Sequence, residues 1–493
     1  MSTAINDTVI RDVVNEVLKR LQAGVGGNGE AARAGFTEMR ETARAEARGS
    51  LGGVDGIFQT VDEAVAAAKV AQQKLMTATL KIRGEAIQCI RDIVIQQAEE
   101  LAKFELEETG IGRLDHKIAK LVGVGSKIPG MEMVTTEAVS GDYGLTVTEH
   151  APYGVIGVIT PVTHSIPTLA CNAIMIIAAG NTLVVNAHPN GIRSAVLATQ
   201  RFSRAIKAKT GLENLICVLE KPTIQSANEV FHHPDIRLLC VTGGPGVAAA
   251  AMASPKKAIA AGPGNPPVVV DETADLEKAA KGIIEGAAFD NNVLCIGEKE
   301  VFVVASVADK LMDALGRNGA FRLNADQINA LTQVAVQKDE KSGHWVANKK
   351  FVGKDPDVLA RAIGVSIPAG TQLLFGEVDA SSPWLPCEQM MPFLPIMRCR
   401  DVDEAIAMAV KYEHGFGHTA LIWSQNVSHM TRMGKAVNTT IFVKNGSCLA
   451  GLGGGGEGYP SYSIASPTGE GITSPLTFTR MRRCVMVESL RIL

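Results

Sequence analysis

The stretch GVIGVITPVTHSIPTLACNAIMIIAAGNTLVVNAH, residues 154–188, decides the fold. Two short runs rich in Val and Ile, at 154–160 and 182–188, flank a continuously apolar segment with the length of a helix. The alternation continues downstream: SAVLATQRFSRAI (194–206) reads as a helix, and LICVLE (215–220) and RLLCVTG (237–243) read as strands. Strands alternating with helices build a parallel sheet covered on both faces, so this region is expected to be a doubly wound nucleotide-binding domain.

Working outward, helical periodicity dominates residues 53–127 on the N-terminal side. On the C-terminal side a second β/α region runs from about Pro266 to Ala450, with PPVVVDE, EVFVVASV, TQLLFGEV, TALIWSQ and TTIFVKN as its strands. Two α/β lobes invite a cleft between them. YGLTVTEHAPYG (143–154) and RRCVMVESLRIL (482–493) fit neither lobe and are expected to extend a sheet across subunits.

Before the body comes TVIRDVVNEVLKRLQ (8–22), which sets Ile10, Val13, Val14, Val17, Leu18 and Leu21 on one helical face. A Gly-, Ala- and Arg-rich tether follows as far as Gly52. A tethered helix this short is marginal alone, so its apolar stripe is expected to dock on its own body, a sister subunit or another protein.

With 46% hydrophobic residues over 493 positions, the chain can bury a large core divided among two or three domains. Lys plus Arg total 48 against 51 for Asp plus Glu, which leaves no broad basic face for nucleic acid. Nine cysteines without a CxxC pair or His/Cys cluster suit reduced thiols and no metal site. No apolar run of about 20 residues marks a secretory leader or a membrane span.

Three segments carry possible chemistry. Gly243, Gly244 and Gly246 in VTGGPGVAAAAM (241–252) join a strand to a helix start, where backbone approaches a phosphate or simply turns. AIAAGPGNPPVVVDE (258–272) makes a Gly/Pro turn that serves either a site or a hinge between lobes. In FDNNVLCIGEKEV (289–301), the turn formers Asp290, Asn291 and Asn292 precede Cys295 and can leave its thiol at a loop tip. On position alone Cys295 is either a nucleophile or one more buried thiol.

TPVTH, AAGNTLVVNAHP, VTGG, GPGNPPVVVDETADL, FDNNVLCIGEKEV, EQMMPFLPI, FVKNGSCLAGLGGGGEG and SPTGEGITSPLTFTR occur in that order. This series resembles the aldehyde dehydrogenase superfamily over residues 53–493, and more narrowly its CoA-acylating branch, the acetaldehyde and propionaldehyde dehydrogenases of bacterial microcompartments. The resemblance implies a cofactor-binding domain at 53–135 and 150–263, a catalytic domain at 264–455, and oligomerisation segments at 136–149 and 456–493. It implies a homo-oligomer, dimer or tetramer. It also implies that residues 1–21 are an encapsulation peptide for shell protein and 22–52 its linker, which places the enzyme in the cytoplasm inside a microcompartment.

By the same resemblance Cys295 attacks the aldehyde to give a thiohemiacetal, and hydride loss to NAD leaves a thioester. Glu388 matches the carboxylate that binds the nicotinamide ribose; Gly243 and Gly244 match the cofactor-phosphate turn, with Thr160, Pro161 and Asn186 beside it. Ala260 stands where hydrolytic members carry a glutamate base, so the acyl group is expected to leave on CoA, a good thiol nucleophile. The alternatives are a hydrolytic NAD(P)-dependent enzyme with a base from elsewhere, or a silent scaffold. Asn186 and Pro189 replace the lysine and glutamate that hold the adenosine ribose in hydrolytic members, so the choice of NAD follows family habit. Thr163, His164 and Ser165 replace the usual Thr-Asn-Pro; a side chain there donates to the oxyanion, or Thr163 and Ser165 start a helix. Short aliphatic aldehydes are the implied substrates.

Overall fold

The structure, a computed structural model, describes residues 53–340 and 343–491. The amphipathic stretch 1–21 and the tether 22–52 lie outside the described residues.

Six parallel strands form the first sheet in the order β1 (Ile57–Phe58), β6 (Ile216–Leu219), β5 (Thr182–Ala187), β4 (Val155–Thr160), β7 (Ile236–Thr242), β8 (Ala258–Ala261). The chain leaves β4 toward β5 and β6 on one side and returns to β7 and β8 on the other. That reversal opens a crevice at the carboxyl ends of β4 and β7, the place where doubly wound sheets bind ligands. The helices α1 (Val61–Thr77), α2 (Leu80–Gln96), α3 (Ala98–Thr109), α4 (Leu114–Lys127), α5 (Ser165–Ala178), α6 (Ile192–Thr210), α7 (Ile224–His232) and α8 (Pro245–Met252) belong to this lobe. Every residue of α5 is buried, which explains its unbroken apolar sequence. Two apolar clusters cover the sheet: Ile156, Val158, Leu183 and Val185 face one, while Val155, Val184, Leu239 and Val241 face the other.

The second sheet is also all parallel, in the order β11 (Ala320–Arg322), β14 (Leu373–Val378), β15 (Phe393–Cys399), β10 (Glu300–Val304), β9 (Pro267–Val270), β16 (Thr419–Trp423), β17 (Ile441–Lys444). Helix α9 (Leu276–Ala288), N-capped by Asp275, packs on it and delivers the chain to the turn before Cys295. Two hairpins, β12 (Val336–Lys338) with β13 (Trp345–Ala347) and β18 (Ile464–Ala465) with β19 (Gly471–Ile472), are smaller additions.

The two outlying strands pair with each other. β3 (Gly144–Pro152) lies between β2 (Glu137–Gly141) and β20 (Thr479–Val487) in an antiparallel sheet that exposes Val139, Met481, Val485 and Val487. The expected segment 456–493 is divided by the structure: Ala465 and Phe478 are buried in the core of the first lobe, and Asn181 Nδ2 donates to the Phe478 carbonyl at 2.9 Å. Only the part from Thr479 onward joins the antiparallel sheet. Among the described residues, no helix is long and apolar enough to cross a membrane.

Candidate active site

A cavity of about 1270 Å³ runs from the amino end of α8 to Cys295. Thr160, Pro161, Thr163, His164, Asn186, Gly243, Gly244, Glu388 and Cys295, the residues singled out in the sequence, all line it.

The Cys295 loop is built from turn chemistry. Asp290, Asn291 and Asn292 adopt left-handed φ angles of 50°, 56° and 66°, which Asp and Asn tolerate because their short side chains bond locally. All three are buried, so the turn is a packed brace and the thiol is no solvent-exposed tip. Asn291 Nδ2 donates to the Gly353 carbonyl at 3.0 Å and to Asp355 at 2.8 Å. Asn292 Nδ2 donates to the carbonyls of Ala287 and Glu298, each at 2.9 Å. Buried Lys299 gathers the loop from inside, donating to the Asn292 carbonyl at 2.8 Å, to Asn292 Oδ1 at 2.6 Å and to the Leu294 carbonyl at 3.1 Å. A side chain at Gly264 would place Cβ 2.5 Å from the Cys295 carbonyl oxygen and 3.1 Å from the His418 ring, so only glycine lets that turn lie against the loop.

Cys295 is half-buried, while Cys171, Cys217, Cys240, Cys387, Cys399 and Cys448 are fully buried. Burial, with Glu388 adding to it, pushes the Cys295 thiol up to about 12; Lys299 and the backbone N–H groups of Cys295 and Ile296 oppose this. Burial likewise lifts Glu388 to about 7 against the pull of Lys299, and its Oε1 lies 3.4 Å from the Gly264 N–H that donates to it.

On the other wall, β4 ends at Thr160, whose buried Oγ1 has no partner among the described residues, and the chain turns through Thr163 and His164 into α5. Ser165 is the first residue of α5, but its side chain does not cap it: Ser165 Oγ donates to the Gly191 carbonyl at 2.8 Å, and the cap residue is His164, without a side-chain cap bond. The Ile166 N–H is taken instead by Glu105 of α3, at 2.8 Å. Asn186 is largely engaged, accepting from Ser226 Oγ at 2.5 Å and donating to the Thr223 carbonyl at 3.5 Å.

Spacing did not single out His418. It is fully buried, burial lowers it to about 4, Nδ1 meets Thr419 Oγ1 at 2.8 Å, and Nε2 has no partner among the described residues. Its only local sign was a histidine beside a strand start, which is too common to use. Ala260, the position the resemblance gives to a glutamate base in hydrolytic members, is buried in β8.

A doubly wound lobe, a helix start facing its crevice and a thiol lining the same cavity fit a nucleotide-dependent oxidoreductase. The chain belongs to the aldehyde dehydrogenase family, whose model matches residues 55–456. It is 46% identical over 438 residues to acetaldehyde dehydrogenase (acetylating) EutE of Salmonella typhimurium, covering 89% of this chain and 93% of that one. It is 39% identical to propanal dehydrogenase (CoA-propanoylating) of Citrobacter freundii over the whole of both chains. Among solved structures, a propionaldehyde dehydrogenase from the Clostridium phytofermentans fucose utilisation bacterial microcompartment superposes with a TM-score of 0.86 at 43% identity, covering 89% of this chain and 100% of that one.

Proposed function

We propose that this chain is a CoA-acylating aldehyde dehydrogenase that oxidises a short aliphatic aldehyde, propanal or acetaldehyde, with NAD and CoA to the acyl-CoA. The observation that carries it is the pairing of an accessible Cys295 with Glu388 in one cavity while Ala260 leaves the hydrolytic base position empty of any carboxylate. The relatives named above carry acylating names, and the hydrolytic alternative finds no support among them.

The cleft fits a dinucleotide. The amino end of α8 at Gly243 and Gly244 offers backbone N–H groups and a positive dipole end to a pyrophosphate, and the orphaned Thr160 Oγ1 offers a polar contact beside it. Glu388 would hold the nicotinamide ribose, with Pro161 and Asn186 lining the same path. When bound, NAD supplies the hydride acceptor.

The protein's own steps follow from the geometry. The Cys295 thiol loses its proton to solvent before attack, and Lys299 and the backbone N–H groups of Cys295 and Ile296 favour the thiolate. The sulfur lone pair bonds the aldehyde carbon, and the C=O π pair moves onto oxygen. The Cys295 N–H and the His164 side chain, with Thr163 beside it, donate to that oxyanion. Collapse of the oxyanion expels the hydride and leaves a thioester on Cys295. The CoA thiolate then adds to the thioester carbonyl, and the Cys295 thiolate departs as the C–S bond breaks. Water lacks a carboxylate at position 260 to activate it, whereas a thiolate needs none.

The test is NADH formation over a panel of aldehydes, with and without CoA, with the products identified. The expected result is acyl-CoA formed one-to-one with NADH and little acid. Free acid released as fast without CoA as acyl-CoA is with it would overturn the reading.

We further assign residues 1–21 as the encapsulation helix that binds microcompartment shell protein, which supports a cytoplasmic location inside such a compartment. The support is the apolar stripe Ile10 to Leu21 and the whole-chain match to the Citrobacter freundii enzyme. Deleting residues 1–21 is expected to preserve activity in solution and abolish co-localisation with shell; an inactive deletion would place the helix on its own body. The exposed apolar residues of β20 support a homo-oligomer, dimer or tetramer.

A further inference from the structure

At the cavity wall, where Lys120 is part of the lining, lies a buried ionic cluster that none of the steps above uses. Glu105, Lys117, Lys120 and Asp290 are each no more than 3% exposed. Lys117 Nζ donates to Glu105 Oε1 at 2.7 Å, and Lys120 Nζ is ion-paired with Asp290 Oδ2. Lys120 Nζ also lies 3.1 Å from His164 Nδ1. The remaining bonds tie the cluster to both halves of the site. Asp290 Oδ1 accepts from the Arg113 N–H at 2.8 Å, the Asp290 N–H donates to His116 Nδ1 at 2.8 Å, and Glu105 Oε2 holds the first turn of α5, directly after His164.

The chemistry of this contact has one solution. Two lysines and two carboxylates balance, and an imidazolium beside Lys120 and Lys117 would add an uncompensated buried charge, so His164 is neutral. An ammonium only donates, which makes Nδ1 the acceptor and leaves the imidazole proton on Nε2. Burial, with Lys120 and Lys117 adding to it, holds His164 well below its ordinary pKa, in agreement. A backbone hydrogen bond with Thr163 opposes that lowering, and the ring lines the Cys295 cavity.

We propose that Lys120 is a positioning residue for the reaction: by bonding His164 Nδ1 and Asp290 at once, it fixes His164 as an Nε2–H donor to the oxyanion and sets that donor in register with the Cys295 loop. A neutral histidine free of Lys120 would divide its proton between two nitrogens, and only one tautomer can donate into the cavity. The inference rests on the reading of His164 as an oxyanion donor, and the experiment separates the two.

Four variants are compared: Lys120→Met, His164→Ala, Lys120→Met/His164→Ala, and Lys120→Met/Asp290→Asn. The last removes both charges of the pair, so that no unpaired carboxylate is left buried, and keeps a residue type that accepts a left-handed turn. Each is assayed for kcat and KM in NADH formation, for NAD dissociation, and for the burst of nitrophenolate as p-nitrophenyl acetate acylates Cys295, a step that needs the oxyanion donors and no nicotinamide. His164→Ala is expected to lower the burst rate about 10²-fold, the usual cost of one oxyanion donor. Lys120→Met and Lys120→Met/Asp290→Asn are expected to lower it about tenfold or more, with KM and NAD dissociation near wild type. In the His164→Ala background, Lys120→Met is expected to cost no more than about threefold further, because its route of action is gone.

A loss by Lys120→Met that is equally large with and without His164 would make Lys120 a structural brace and overturn the proposal. So would full activity in Lys120→Met, or loss of the folded state in the paired variant. Full activity in His164→Ala alone would overturn the oxyanion reading itself, a result visible without any Lys120 variant.

Discussion

Replacing Cys295 by alanine is expected to lower aldehyde oxidation by more than about 10⁴-fold while leaving the melting temperature and NAD binding close to wild type. The reaction has no second route: among the nine cysteines only Cys295 lines the cavity, and six others are fully buried in the two lobes. The exposed Cys484 and half-buried Cys89 lie outside the cavity lining. The change removes one sulfur from a half-buried side chain, so little packing is lost. Because burial raises the thiol to about 12 in the free enzyme, the thiolate fraction should climb about tenfold per pH unit from 7 to 9. Alkylation of Cys295 by iodoacetamide, followed by mass spectrometry, should climb with it. A plateau near neutral pH would contradict the raised thiol, and substantial turnover by the alanine variant would remove Cys295 from its role.

How much of this was legible in the sequence depends on the range of the signal. Val- and Ile-rich runs marked β4, β5, β6 and β7 because buried parallel strands are continuously apolar. β15 was not marked as a strand. It carries Pro395 in a strand that lies between β14 and β10, where a missing N–H donor argues against a sheet interior. The Cys295 segment, Glu388 and the turn at Gly243 were readable as motifs, and the cavity gathers them. The brace behind them was not. Lys117 and Lys120 lie on the face of α4 that also buries Leu121 and Val124. Each lies four residues before a buried apolar residue, Leu121 and Val124, a spacing that points to burial, but lysine is so rarely buried that composition points to solvent. Their partners Glu105 and Asp290 sit 12 and 170 residues away, beyond any local periodicity. Asn186 shows the converse: it was legible as a cleft residue, yet its amide is used to tether α7.

The second large effect is on stability and comes from Glu105. Its carboxylate is buried, with one oxygen on Lys117 Nζ at 2.7 Å and the other on the Ile166 N–H at 2.8 Å. Glu105→Ala leaves an ammonium buried without its anion and strips the first turn of α5 of its acceptor, since His164 provides no side-chain cap. Removing one partner of a buried pair costs about 3–5 kcal/mol, so the urea midpoint should fall accordingly. The sign of the pH dependence is fixed by Lys117. In the wild type Glu105 opposes the effect of burial and holds the Lys117 pKa above its ordinary value. In the variant only the Asp290 charge still opposes burial, and the folded pKa is expected to drop below the unfolded one. The unfolded state then binds more protons than the folded state, and stability rises with pH. The deficit of Glu105→Ala should therefore be largest near neutrality and shrink as pH climbs toward the unfolded lysine pKa of about 10.4. Adding Lys117→Met should recover most of the loss at pH 7, because an apolar side chain of similar length carries no charge to desolvate. A deficit that does not change between pH 7 and 9.5, or a double variant no more stable than Glu105→Ala, would mean that the pair is not what holds α3, α4 and α5 together behind the site.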